Sequence, residues 1–249
     1  MGGTGAPLPF PGGTSVSRLR VYDWPAPDGA GLVGSGTPHL HTASSEGYVV
    51  LGGTGSVQTL SAEGFTETPL EAGVVVWFSP GVVHRLVNDG GLDLVVVMSN
   101  AGLPEAGDAV LTFPPAVLAD PERYREAVTL PVQDEGTEDD DVVAAAARAR
   151  RDLALEGYAA LRARVEGDGG AGLAELHAAA ARLVSSRVPQ WQQIVRDGVE
   201  ASTARTVEAL AGLAAADPTH LAGAAISATG PRPGPRRYGM CGRLQTWEL

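Results

Sequence analysis

From Val16 to about Ser99 the apolar residues come in short, β-branched runs broken by Gly, Pro, Asn and Asp. The runs are Arg18 to Tyr22, Gly47 to Leu51, Ser56 to Leu60, Val74 to Phe78, Val83 to Val87 and Leu92 to Met98. Runs of this length between turn-forming residues read as antiparallel strands. Their even spacing predicts a sandwich or barrel.

The pattern changes after Asn100. In Pro114 to Ala127, proline and aspartate stand where helices start, which predicts one or two short helices leaving the barrel. A long helix is expected from Thr137–Asp141 to about Val165, with Val143, Ala147, Ala154, Tyr158, Leu161 and Val165 along one face. Arg150 interrupts that face and has to snorkel or find a partner. Helices over 172–188, 189–215 and 218–226 follow, the last capped by Asp217, and together they read as a small bundle or cap.

Prolines and glycines end the helical pattern at Thr229 to Gly239. The alternation in Arg243 to Glu248 then suggests a strand returning to an open barrel edge. The expected organisation is a flexible N-terminus (1–14), a barrel with trailing short helices (15–130), a helical region (131–228) and a Pro/Gly/Arg-rich tail (229–249).

Composition narrows the functional classes. The chain has 249 residues and a formal net charge of -11, which repels nucleic acid and anionic membranes. Its 18 basic residues are all arginine, so a Schiff-base or P-loop lysine is ruled out. The Arg, Ala and Gly bias suits a GC-rich bacterial genome. The single cysteine, Cys241, reads as an inert thiol that forms no intrachain disulfide. Residues 1–17 lack the basic start and apolar stretch of a signal peptide, and no apolar run is long enough to span a bilayer, so a cytoplasmic location is expected.

Three of the five histidines fall in one constellation: His39-Leu40-His41, then Glu46, then His84. Neutral imidazoles and a carboxylate suit a borderline divalent ion. Histidines two apart on a strand share a face, and a second hairpin can bring His84 across to them. Gly34, Gly36, Gly53, Gly73 and Gly81 mark the turns and close approaches that a small barrel needs.

These residues resemble the two motifs of the cupin superfamily. Gly34, His39, His41, Glu46 and Gly53 match the first motif, with one residue fewer between Gly34 and His39. Gly73, Gly81, His84 and Asn88 match the second, with Ser79 at the usual proline position and Pro80 after it. That shift should alter the turn before His84 without removing a ligand. The resemblance covers roughly residues 15–100. It implies an all-β jelly-roll barrel followed by an α-helical C-terminal region, β + α overall, with His39, His41, Glu46 and His84 holding one divalent ion (Fe, Mn, Zn or Ni).

Strand parity places Thr37, Tyr48, Val50, Leu86 and Asn88 inside with the ligands. They are the candidate pocket residues, and the Tyr48 hydroxyl is the candidate proton donor. Parity sends Arg85 outward as a surface charge. His177 and His220 read as solvated or capping residues, Trp191 as helix packing, and the acidic run Glu138 to Asp141 as a solvated helix start.

Two functional classes remain. One is a mononuclear metalloenzyme, a dioxygenase, decarboxylase, isomerase or lyase, acting on a small polar or carbonyl-containing molecule. The other is a non-catalytic small-molecule or sugar-binding module signalling through the helices. An ion that merely stabilises the barrel is a third, lesser reading. Exposed strand edges also allow a homodimer.

Overall fold

The computed structural model describes residues 8–132, 141–168 and 170–249. The first seven residues and most of the acidic run, Glu138 to Asp140, lie outside them. Among the described residues, ten strands form one antiparallel sheet. They are β1 (Ser15–Val21), β2 (Gly34–Ser35), β3 (His39–His41), β4 (Glu46–Ser61), β5 (Gly64–Glu71), β6 (Val75–Phe78), β7 (Val83–Met98), β8 (Ala109–Leu111), β9 (Arg237–Tyr238) and β10 (Gly242–Thr246). The main path runs β5-β4-β7-β1-β10-β9, with β6 on β4, β2 and β3 on β7, and β8 on β3.

Two of these strands, β4 and β7, bend and serve both halves of the barrel. Near its start β4 pairs with β6 and the end of β7, and near its end with β5 and the start of β7. Each therefore joins two runs that the sequence pattern separates. The bend lies at register shifts between Val50 and Gly55. There Gly53 has φ +76°, and a Cβ on it would come within 2.3 Å of the Gly91 carbonyl, so only glycine fits the bulge. Strand β5 escapes the sequence pattern because Pro69 and its exposed polar residues read as loop, yet an edge strand tolerates both.

The inner core is built from Tyr48, Val50, Val57, Leu70, Leu86, Leu92, Leu94 and Val96, with Leu19 and Val21 from β1. Six helices follow the barrel or lie against it: α1 (Pro115–Leu118), α2 (Pro121–Val128), α3 (Asp141–Asp168), α4 (Ala171–Val184), α5 (Val188–Val195) and α6 (Ala201–Ala214). Asp120 caps α2 by accepting from the amides of Glu122 and Arg123, with Pro121 in the first turn. A π turn, Arg196–Glu200, carries α5 into α6. The helix expected over 218–226 is only a 3-10 turn at Thr219–Gly223, where the Asp217 carboxylate takes up the Thr219 amide.

The long helix α3 buries the expected stripe, Val143, Ala147, Ala154, Tyr158, Leu161 and Val165. Its last half packs with α4 on Leu60, Val83, Val110 and Leu111 of the barrel. Its first half meets Tyr22, Trp24 and Tyr238. The outer face of this part of the sheet is therefore a second core, which corrects the reading of Arg85. That side chain does point outward from the barrel, but only 1 % of it is exposed. It forms a two-pronged ion pair with Asp28 at 2.5 and 3.0 Å and donates to Ser35 Oγ at 2.9 Å. Arg151, fully buried, likewise donates to the Trp24 and Pro25 carbonyls. Arg150 reaches the carbonyls of Val128 and Gly239.

The tail does return to the barrel. β10 pairs with β1 from Ser17↔Thr246 to Val21↔Gly242, and β9 pairs with β10. No helix among the described residues is long and apolar enough to cross a membrane.

Gly157 lets α3 approach the barrel, since a Cβ there would lie 2.0 Å from the Thr112 carbonyl oxygen. Gly157→Ala should cost ~1–3 kcal/mol in urea unfolding, although alanine favours an isolated helix. An increase in stability would show that the contact relaxes freely.

Candidate metal centre

His39 and His41 project from β3, Glu46 opens β4, and His84 lies on β7, with His39 directly opposite His84. All four are buried, and one ligand atom from each lies within 4.8 Å of the others. His84 Nε2 is 3.1 Å from His39 Nε2 and 2.9 Å from Glu46 Oε2, and His41 Nε2 is 3.2 Å from that same oxygen. Ligands about 2.1 Å from an ion and at right angles to one another are roughly 3 Å apart.

The outer ring nitrogens decide what those atoms present. His39 Nδ1 lies 2.8 Å from the Thr37 carbonyl, His84 Nδ1 3.2 Å from that of Val82, and His41 Nδ1 2.6 Å from Asp108 Oδ1. Each acceptor calls for a proton on Nδ1 and leaves Nε2 as a lone pair. Three Nε2 atoms and a carboxylate oxygen then face one another, with Glu46 Oε2 lying between His84 and His41. Such a set repels itself unless positive charge, a proton or a metal ion, stands among its members. Residue types and spacing fit a divalent ion.

The electrostatics agree. Burial holds His39 well below the usual imidazole range, reinforced by His84 and His41. Burial also opposes charge on His41, but Asp108 and Glu46 outweigh it and push its pKa up to about 10. Burial disfavours the Glu46 carboxylate too, yet His84 and His41 keep it ionised. The site therefore draws in positive charge.

Asp108 is the residue the sequence reading misses. It is fully buried, and its second oxygen accepts from the Ser44 amide at 2.8 Å. The signal was the β-prone run Val110 to Phe113 just after it, which marks the short β8 opposite β3. The turn before His84 absorbs the displaced proline: Gly81 sits at φ +88° and donates to the His41 carbonyl at 2.9 Å. His177, read as solvated, lies with Nε2 2.8 Å from the Gly81 carbonyl and braces this turn from α4.

The cluster opens into a cavity of ≈ 690 Å³. His39, His41 and Glu46 form its floor, and Leu19, Val96, Met98, Met240, Cys241 and Leu244 its walls. Thr37, Tyr48, Val50, Leu86 and Asn88 are not among its lining residues; they lie behind the ligands. Asn88 spends its amide on the carbonyls of Val21 and Tyr22 and on the amides of Gly90 and Leu92. Tyr48 is fully buried, with its ring centre 6.5 Å from that of His84. Burial and the Glu46 charge hold its phenol well above the usual value. Cys241, whose Sγ is 3.9 Å from His39 Nδ1, belongs to the cavity wall, and burial keeps its thiol protonated. Trp191 packs away from the cavity and donates to the Ala106 carbonyl at 3.3 Å.

Residues 33–100 match the family model described as a cupin domain. The barrel is a cupin domain. No curated protein matches the chain in sequence. Among solved structures, this cupin is similar to the TDP-quinovose 3,4-ketoisomerase WlaRB of Campylobacter jejuni, at 13% identity over 34% of this chain and 60% of that one, with a TM-score of 0.29. It is similar to the nucleoside dehydratase Pac13 of Streptomyces, at 19% identity over 39% of this chain and 66% of the other, with a TM-score of 0.28. A cupin protein of Bacteroides fragilis is 20% identical over 36% of this chain and 65% of its own, with a TM-score of 0.25. The chain thus spans less than two thirds of each of these structures, and the helical half of the cupin lies outside the matched family region.

Asp108→Asn keeps the shape of the His41 partner and removes its charge. It should weaken divalent-ion affinity about 10- to 100-fold in competition with a chelator. Unchanged affinity would leave Asp108 with a purely structural role.

Proposed function

We propose that this cupin is a mononuclear metal-dependent enzyme acting on a small polar or carbonyl-containing molecule. The observation that carries this reading is the convergence of three Nδ1-anchored imidazoles and Glu46 on one point at the floor of an open cavity. His39, His41, Glu46 and His84 would hold one divalent ion, which supplies Lewis-acid polarisation of substrate oxygens.

The chain's own groups do the rest. Thr37, Val82 and Asp108 keep each imidazole in the tautomer that offers Nε2. The apolar walls exclude water and strengthen every polar contact at the floor. In this proposal Tyr48 is the proton donor, acting from behind the floor: its phenol stays protonated and within hydrogen-bond reach of Glu46, through which its proton would reach the cavity. The reaction, whether oxygenation, decarboxylation, isomerisation or elimination, is left to be assigned by product analysis.

A non-catalytic binding module is the second reading. It is favoured by the cavity lining, which apart from the ligands carries carboxylates only at Glu105 and Glu248.

Metal analysis of reconstituted protein should find one divalent ion per chain, and His84→Ala should lose it. Oxygen-uptake and substrate-depletion screens should show turnover that follows the metal, with Tyr48→Phe retaining the ion and losing rate. A wild-type protein that takes up no divalent ion would sink the reading. Metal-dependent ligand binding without turnover would establish the binding module instead.

A further inference from the structure

The cavity over the cluster has a wall that belongs to the tail and not to the matched cupin region. Strands β7, β1, β10 and β9 lie side by side, and the cavity lining runs across them in register. Met98 of β7 pairs with Glu46 and Val96 with Tyr48, Leu19 of β1 pairs with Leu244 of β10, and Leu244 pairs with Arg237 of β9. Arg237 and Leu244 line the cavity, while the next residues, Tyr238 and Arg243, turn to the other face, where the Arg243 guanidinium lies 4.8 Å from the Tyr238 ring centre. An apolar strip thus leads across β1 and β10 from the floor to Arg237.

Arg237 differs from the other charged groups at this mouth. Arg232 pairs with Glu248 at 3.4 Å, and Glu105 accepts from the Gly102 amide at 3.0 Å. Arg237 is exposed and makes no side-chain hydrogen bond or ion pair with any described residue. In a chain of net charge -11, a free guanidinium closing an apolar cavity is a local exception to the overall field.

We infer that the cavity selects an elongated organic acid, with an apolar body against Leu19, Val96, Met98 and Leu244 and a terminal carboxylate held by Arg237. This rests on the reading of the cavity as the substrate site and narrows its substrate class. A guanidinium pairs with a carboxylate through two parallel hydrogen bonds. A phosphate dianion would call for a second unpaired cation, and the other lining arginine, Arg232, is already paired with Glu248. Length follows from the sheet: β9 lies three strand spacings from β7, about 14 Å around the barrel. A two- or three-carbon acid does not bridge Arg237 and the floor.

Calorimetric titration of the metal-loaded protein with octanoate, octanamide, octyl phosphate and acetate tests this, using Arg237→Gln and, as a control, Arg232→Gln. Octanoate should bind at least about tenfold more tightly than octanamide or acetate. Arg237→Gln should abolish the preference over the amide without altering octanamide binding, and Arg232→Gln should preserve it.

Equal affinity for octanoate and octanamide in the wild type would overturn the inference. So would tighter binding of octyl phosphate, equal binding of acetate, loss of the preference in Arg232→Gln only, or failure of all the probes to bind. Metal content measured on the same samples separates the two proposals. A chain that binds no ion but still prefers octanoate through Arg237 defeats the metalloenzyme and keeps the acid site.

Discussion

Three imidazole Nε2 atoms and a carboxylate oxygen are held within 4.8 Å of one another, and only positive charge among them, as protons or as a metal ion, lets them stand so close. Left to itself such a group would spread or turn its donors outward. It does neither, because every outer ring nitrogen is already engaged by Thr37, Val82 or Asp108. The strands carrying these anchors are locked by the His39↔His84 pairing and by the β3–β8 ladder. Self-repulsion at the centre is thus sustained by hydrogen bonds around it, an arrangement in which an arriving cation gains what the fold has already expended on order.

The helical half acts on this site from behind. His177 of α4 contacts the turn before His84, Arg187 and Trp191 hold the loop that ends in Asp108, and Arg150 holds Gly239, just before Met240 and Cys241 enter the cavity wall. Arg151 and Arg85 pin residues 24–35 beneath α3. Removing one partner of such a buried pair strands a charge and costs several kcal/mol, so these contacts specify where the helices dock. Each contact lies on the far side of a ligand or wall residue from the cavity itself, and the helices work as a buttress for the cup.

Much of the barrel was legible because its strands alternate and its turns carry glycine, and the clustering of His39, His41, Glu46 and His84 because histidines two apart on a strand share a face. The helical stripe of α3 was legible for the same periodic reason. What escaped depends on pairing across long separations. Parity placed Arg85 on the outer face correctly but could not tell that α3 covers that face. Asp108 sits in a loop and gains its role only through β8. Arg151, one residue from the arginine that interrupts the helical stripe, is the more deeply buried of the two, because 24–35 folds over it. Cys241 reads as an inert thiol and Arg237 as tail composition until the β9–β10 hairpin places them on the cavity wall.

That wall has a consequence for the order in which the site can assemble. All four ligands lie between residues 39 and 84, on strands that pair within this stretch, whereas β10 must find β1 across almost the whole chain, Ser17 against Thr246. Contacts so distant in sequence carry the largest closure entropy and form after nearer ones. The floor can be complete while the cup still lacks its side. In the proposed reading, capturing an ion calls on this early fold and on Asp108 just beyond it, and discriminating between guest molecules waits for the last strand to arrive.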